Sequence, residues 1–205
     1  MTEIKPRFEF RTFGQGFGIV EQKMRRLSKV ENIRESSEIY IMSTANNENN
    51  TKIRDGLMDI KVFVKEEKGL EQWNPRMKGS FPMDKSIISS EVFPAFGISM
   101  PELDRDQYTL DQFLQEIIIS HKELTAVRVF KRRFAFTINN CIAEIGDVYI
   151  NGAHLQTVNI ESVNIDDILK AKSMISLDEY ENVNYLIAIK RVIGMEHLPN
   201  DFYLK

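Results

Sequence analysis

Arg7-Phe8-Glu9-Phe10-Arg11 carries a charge at every second residue, with phenylalanine between. In a strand, successive side chains point to opposite faces, so this run has one charged face and one aromatic face. The pattern returns in Lys52-Ile53-Arg54, in Asp59-Ile60-Lys61-Val62-Phe63-Val64-Lys65 and in Val129-Phe130-Lys131-Arg132-Arg133. A half-buried strand with its charges in water would read the same way. The excess in these runs is basic, however, although the whole chain has a net charge of −3. A fold that collects Lys and Arg on one strand face and stays acidic elsewhere is arranged to hold a polyanion. That points to phosphate.

Composition sets the frame for this reading. A chain of 205 residues supports one good core and is short for two, so a single domain spanning 1–205 is expected. Apolar content of 42% and charged content of 28% are ordinary for a globular protein, and no window approaches a membrane span. Met1 to Pro6 holds no hydrophobic run, which argues against a secretory signal. The single Cys141 excludes an internal disulfide and any zinc cluster built on cysteines. A reduced, cytoplasmic setting follows as the expectation. The mild acidity argues against general coating of nucleic acid, which needs a broad basic surface.

Along the chain, Gly14 to Gly18 breaks the first strand and a basic helix with Ile19, Met24, Leu27 and Val30 follows. Ser37 to Ser43 reads as a strand, Ala45 to Asn50 as a polar loop, and Asp55-Gly56 as a hairpin turn. A further strand is expected around Leu70 to Trp73, while Asp84 to Arg105 shows no dominant period. Thr109-Leu110-Asp111-Gln112 fits a capping box and opens a helix with an apolar stripe through Ile118. Strands are expected around 126–139, 141–150 and 154–163, then helices near 165–174 and 181–193, the last stopped by Gly194. Short strands in hairpin order with helices at the ends of each half describe an α+β fold on an antiparallel sheet.

The order of these motifs resembles the CYTH superfamily, also called triphosphate tunnel metalloenzymes. Its members include class IV adenylyl cyclases, thiamine triphosphatases, inorganic triphosphatases and fungal-type RNA triphosphatases. Arg7-x-Glu9-x-Arg11 stands where the family opens with Glu-x-Glu-x-Lys, and Lys52-x-Arg54 where it has Arg-x-Arg. Lys61 matches the lysine of the next strand and Lys131-x-Arg133 the later Lys-x-Arg. Glu144 to Asp147 matches an acidic strand, and Asn159-x-Glu161 stands for Glu-x-Glu. The resemblance covers nearly the whole chain and implies an eight-stranded antiparallel β tunnel, a closed barrel with flanking helices.

It also implies a triphosphate or nucleotide ligand, held by Arg11, Lys52, Arg54, Lys61, Lys131 and Arg133. A bound Mg²⁺ or Mn²⁺ is implied on Glu9, Glu144 and Glu161, with Glu9 and Glu161 as catalytic groups of a metal-dependent triphosphatase. Arg7 and Asn159 depart from the pattern, since two family carboxylates are missing there. A non-catalytic nucleotide- or polyphosphate-binding module and an adenylyl cyclase are the alternatives. An RNA 5′ end is the weaker choice of ligand, a homodimer stays open, and no membrane partner is expected.

Other features take plainer readings. The basic residues could be the solvated face of an open sheet, and Glu9 and Glu161 could be ion-pair partners that hold neighbouring arginines apart. Arg128 and Arg132 have the opposite parity to Lys131 and Arg133 and should face outward. Lys65 and Arg7 are weaker candidates. Gly14 to Gly18 lacks both the Walker ending and the Rossmann spacing and reads as a turn. Cys141 reads as a small buried residue, Trp73 as core or rim, and His121, His154 and His197 as structural.

Overall fold

The computed structural model describes residues 6–196. The readings made on residues 1–5 and on His197 fall outside that range. β1 (Phe8–Gly14) leads through a turn into α1 (Gly18–Leu27). β2 (Asn32–Ser43), β3 (Asn49–Arg54), β4 (Leu57–Glu67) and β5 (Leu70–Ser80) follow as a meander. A short ribbon of β6 (Met83–Asp84) and β7 (Gln107–Tyr108) brackets α2 (85–96), whose middle turn, Ile88–Val92, is π-helical. α3 (110–118) passes into a second π-helical turn at Phe113–Ile118. β8 (Leu124–Ile138), β9 (Cys141–Ile150), β10 (Ala153–Ser162), α4 (Ile165–Met174) and α5 (Tyr185–Ile193) complete the described chain.

Eight strands close into an antiparallel barrel in the order β1-β10-β9-β8-β2-β3-β4-β5. The expected α+β class and closed tunnel are therefore both present, and an open sheet is not. Closure removes every long edge, which an open sheet of these strands would leave unpaired. The seam between β1 and β5 is short, pairing only Phe8 with Gln72 and Glu9 with Glu71. Beyond it the chain before α5 takes over: Arg11 N donates to Asn182 Oδ1 at 2.8 Å, and Val183 N donates to Arg11 O at 2.6 Å.

The outward-facing residues of the strands explain the helices. Phe8, Phe10, Ala143, Ile145 and Ile160 form one apolar patch, covered by Val20 and Met24 of α1 and Ile168 and Ala171 of α4. Ile41, Ile53, Met58 and Ile60 form another under α2 and α3, closed by Phe93, Phe96, Phe113 and Ile117. Fully burying one such side chain contributes about 1.5–3 kcal/mol. The capping box expected at Thr109 is formed, with Gln112 N donating to Thr109 Oγ1 and Thr109 N to Gln112 Oε1.

Three boundaries differ from expectation. β2 starts at Asn32, because its polar half pairs with β8 from Asn32↔Ala135 onward, and that pairing needs no apolar alternation. β5 runs on to Ser80, passing Pro75 opposite Lys61 at a register shift that spares a ladder N–H. α5 begins at Tyr185, since Asn184 Oδ1 caps it by accepting from Ile187 N at 3.1 Å.

The bore is divided lengthwise. Tyr40, Met42, Val127, Val129, Val148 and Ile150 face inward at one end, and Tyr185, Leu186 and Ile189 of α5 pack among them. The helix fills this apolar half. What remains is a pocket in the polar half.

Candidate functional site

The polar half holds a cavity of about 130 Å³. All nine residues singled out in the sequence line it: Glu9 and Arg11 from β1, Lys52 and Arg54 from β3, Lys61 from β4, Lys131 and Arg133 from β8, Glu144 from β9 and Glu161 from β10. They converge because every inward position on a barrel strand has the same parity. Arg128 and Arg132, of opposite parity, are exposed on the outer face as expected. Glu38 and Tyr40 of β2, Asn50, Trp73, Asn184 and Tyr185 complete the lining. Of these, the sequence pattern places Trp73 in the core or at the rim and gives the other five no role. The lining carries six basic and four acidic side chains, so its charge is positive inside a chain that is acidic overall.

Glu38 organises the centre. It is 3% exposed and lies 2.8 Å from Lys131 Nζ and 3.1 Å from Lys52 Nζ. Burial opposes its charge, but Lys131 and Lys52 hold the carboxyl well below the usual carboxylate range. Burial also pulls Lys131 well below the usual lysine range, aided by the charge of Lys52, with Glu38 opposing. Lys52 is lowered for the same first reason. Lys131 additionally donates to Tyr40 Oη at 2.8 Å and sits 3.7 Å from the centre of the Tyr185 ring. Cations over an aromatic face gain most where water is excluded.

The opposite wall carries the carboxylates. Glu9 and Glu161 are cross-strand partners, as are Arg11 and Asn159, and Asn159 and Glu144. Arg11 Nε donates to Glu9 at 2.6 Å. Glu161 accepts from Asn159 Nδ2 at 2.7 Å and lies 3.7 Å from Arg7. Burial and then the neighbouring Glu9 raise the Glu161 carboxyl above its ordinary value. Glu144 is ion-paired with Arg34, and Arg133 stands 3.9 Å away. Among the described residues, no three His, Cys, Asp or Glu side chains gather into a cation-holding group. Glu9 thus pairs with Arg11, and Glu161 with Arg7.

Donors remain. Arg11 Nη1, Arg133 Nε and Tyr185 Oη are buried, belong to residues lining the cavity and have no hydrogen-bond partner. Buried polar groups in folded proteins are nearly always satisfied, so three free donors around one cavity mark where an acceptor belongs. Burial keeps the Tyr185 hydroxyl protonated, above its ordinary pKa. Gly146, cross-strand from Arg133, makes room for that arginine: a Cβ there would lie 2.5 Å from Arg132 O and 3.1 Å from Arg133 Cγ.

No family model matches the chain, and no curated protein matches it by sequence. Solved structures do match in shape. One, with a TM-score of 0.51 and 9% identity, is an adenylyl cyclase candidate from Hippeastrum described as having a dominant triphosphatase activity; the match covers 94% of this chain and 98% of that one. Another, also at 0.51 with 8% identity, is an adenylate cyclase candidate from Bacillus halodurans, covering 89% and 97%. The fold these structures share with the chain is the eight-stranded antiparallel closed barrel. Within this barrel, Tyr185 and Asn184 come from the segment that enters the bore after the last barrel strand, and Glu38 from a strand whose opening half is polar. Their signals in the sequence were slight: an Asn before an apolar helical run, and one Glu among serines.

Cys141 is buried, and burial and then Asp167 push its thiol up to about 11. His154 pairs with Asp147 at 2.9 Å on the outside, and His121 packs near Phe93. No helix among the described residues is long and apolar enough to cross a membrane.

Proposed function

We propose that this protein binds the phosphate chain of a triphosphate-containing compound in the polar half of its barrel. The observation that carries the reading is the set of unpartnered buried donors, Arg11 Nη1, Arg133 Nε and Tyr185 Oη, around one basic cavity. A phosphate chain supplies the acceptors they lack. Arginine suits it because its planar fork gives two parallel charge-assisted hydrogen bonds, and these are about twice as strong as neutral ones. Arg54 and Lys61 add charge from β3 and β4, while Lys52 and Lys131 are tied to Glu38 and act as a fixed positive floor. The cavity volume is small, so a phosphate chain fits it better than a whole nucleotide, whose organic part would lie outward, toward Trp73 or the mouth.

Hydrolysis is the second reading. The residues that favour it are Glu9 and Glu161, which face one another across β1 and β10, with the Glu161 carboxyl raised by burial and by Glu9. A carboxyl raised in this way is suited to take a proton from an attacking water. Cyclisation of ATP, the adenylyl cyclase alternative, would further need a pocket that recognises the base.

Phosphorus NMR with tripolyphosphate, ATP and long-chain polyphosphate tests both readings. Broadening and shift of the ligand resonances establish binding, new product resonances establish turnover, and unchanged spectra with all three ligands would dismiss the tunnel as a phosphate site.

A further inference from the structure

Every carboxylate expected to hold a divalent ion already has a positive or amide partner. Glu9 is held by Arg11 at 2.6 Å, Glu161 by Asn159 at 2.7 Å with Arg7 at 3.7 Å, and Glu144 by Arg34 with Arg133 at 3.9 Å. Four guanidinium groups therefore answer three carboxylates along one wall. Mg²⁺ at a phosphate site takes near-octahedral oxygen coordination from one or two carboxylates together with phosphate oxygens and water, and each carboxylate offered here is already engaged by a guanidinium or an amide. Asn159 replaces a carboxylate by a neutral amide, and although its Oδ1 has no partner, one amide oxygen restores neither the charge nor the ligand number.

Arg7 and Arg34 are the decisive pair. Both side chains are about half exposed, both pair with a carboxylate that lines the cavity, and Arg34 stands directly across the strand pair from Arg133. A guanidinium in this position can do for a phosphate oxygen what a metal would do: neutralise charge, with fixed direction. From this geometry we infer that the tunnel holds its phosphate chain without a divalent metal, with Arg7 and Arg34 standing in the place a cation would take. This rests on the phosphate-binding reading above.

Calorimetry of tripolyphosphate with the whole protein tests it, once in EDTA and once with saturating Mg²⁺. The expected result is full binding in EDTA and binding weakened by about tenfold with Mg²⁺, because Mg²⁺ removes charge from the ligand and finds no ligands on the wall. Binding that appears only with Mg²⁺, or tightens with it, would overturn the metal-free site and leave the phosphate reading standing. No binding in either condition would overturn both. Mn²⁺ titration followed by electron paramagnetic resonance gives an independent readout on protein alone: the wild type should leave Mn²⁺ free, and stoichiometric uptake would overturn the inference. The R7A/R34A variant should gain Mn²⁺ uptake and lose tripolyphosphate affinity in EDTA. Both residues are exposed and outside the core, so the variant is expected to fold, and the wild-type titrations decide the matter without it.

Discussion

Glu38 and Lys131, on neighbouring strands and 93 residues apart in sequence, meet at 2.8 Å in the centre of the barrel, both all but excluded from water. Each charge is tolerable there only because of the other. Breaking a buried pair from one side leaves the partner charge unpaired, at a cost of about 3–5 kcal/mol.

Glu38→Gln should therefore lower stability by about 3 kcal/mol, read from urea unfolding. The same change frees Lys52 and Lys131, so tripolyphosphate should bind the variant more tightly than the wild type and restore part of the loss. A variant as stable as wild type would show that the pair contributes nothing.

The Glu38 carboxyl also sets an acid limit. Its folded pKa lies below the ordinary 4.5, so the stability it contributes is complete above about that pH and falls as pH drops beneath it. Between pH 4.5 and 3 the unfolding free energy of the wild type should fall more steeply than that of Glu38→Gln, by up to about 1.4 kcal/mol per pH unit. Equal slopes would show that Glu38 titrates normally.

Arg133→Ala should weaken tripolyphosphate binding by about ten- to a hundredfold, the worth of one or two charge-assisted hydrogen bonds. Arg132→Ala, one residue away but on the outer face with its side chain 52% exposed, should change it by less than about twofold. Calorimetry on the two variants separates a built pocket from a diffuse basic field, in which the two substitutions would act alike.

Gly146→Ala places a methyl 2.5 Å from Arg132 O, a backbone atom that cannot move alone. The expected cost is about 1–3 kcal/mol in stability, together with weaker tripolyphosphate binding because Arg133 is displaced. Gly152→Ala, where a Cβ meets nothing, serves as a comparison for backbone strain, since Gly152 has φ near +92°. If Gly146→Ala unfolds no more easily than wild type, Arg133 does not depend on that glycine.

Cys141 should react with a thiol reagent at pH 8 far more slowly in the native protein than in urea, because it is buried and its thiol is pushed up to about 11. Equal rates would place it in contact with water.

The alternation in Arg7–Arg11, Lys52–Arg54 and Val129–Arg133 determined by itself that these segments are strands with one charged face, since the side-chain period of a strand is two. The same parity placed Arg128 and Arg132 outside, while the nine residues that share one cavity were named through the resemblance carried by the order of the motifs. It could not show which charges are spoken for. Glu38 lies in a polar stretch with no apolar rhythm, and only barrel closure brings it between Lys52 and Lys131. Tyr185 sits on a helix whose apolar face looks like any other, and only its insertion into the bore makes it a wall of the pocket. Whether Glu9, Glu144 and Glu161 face a cation or an arginine was equally beyond a pattern of residues. Ion pairing depends on distances of a few ångströms between segments far apart in the chain, and those distances are fixed by closure, register and the helix that fills the bore.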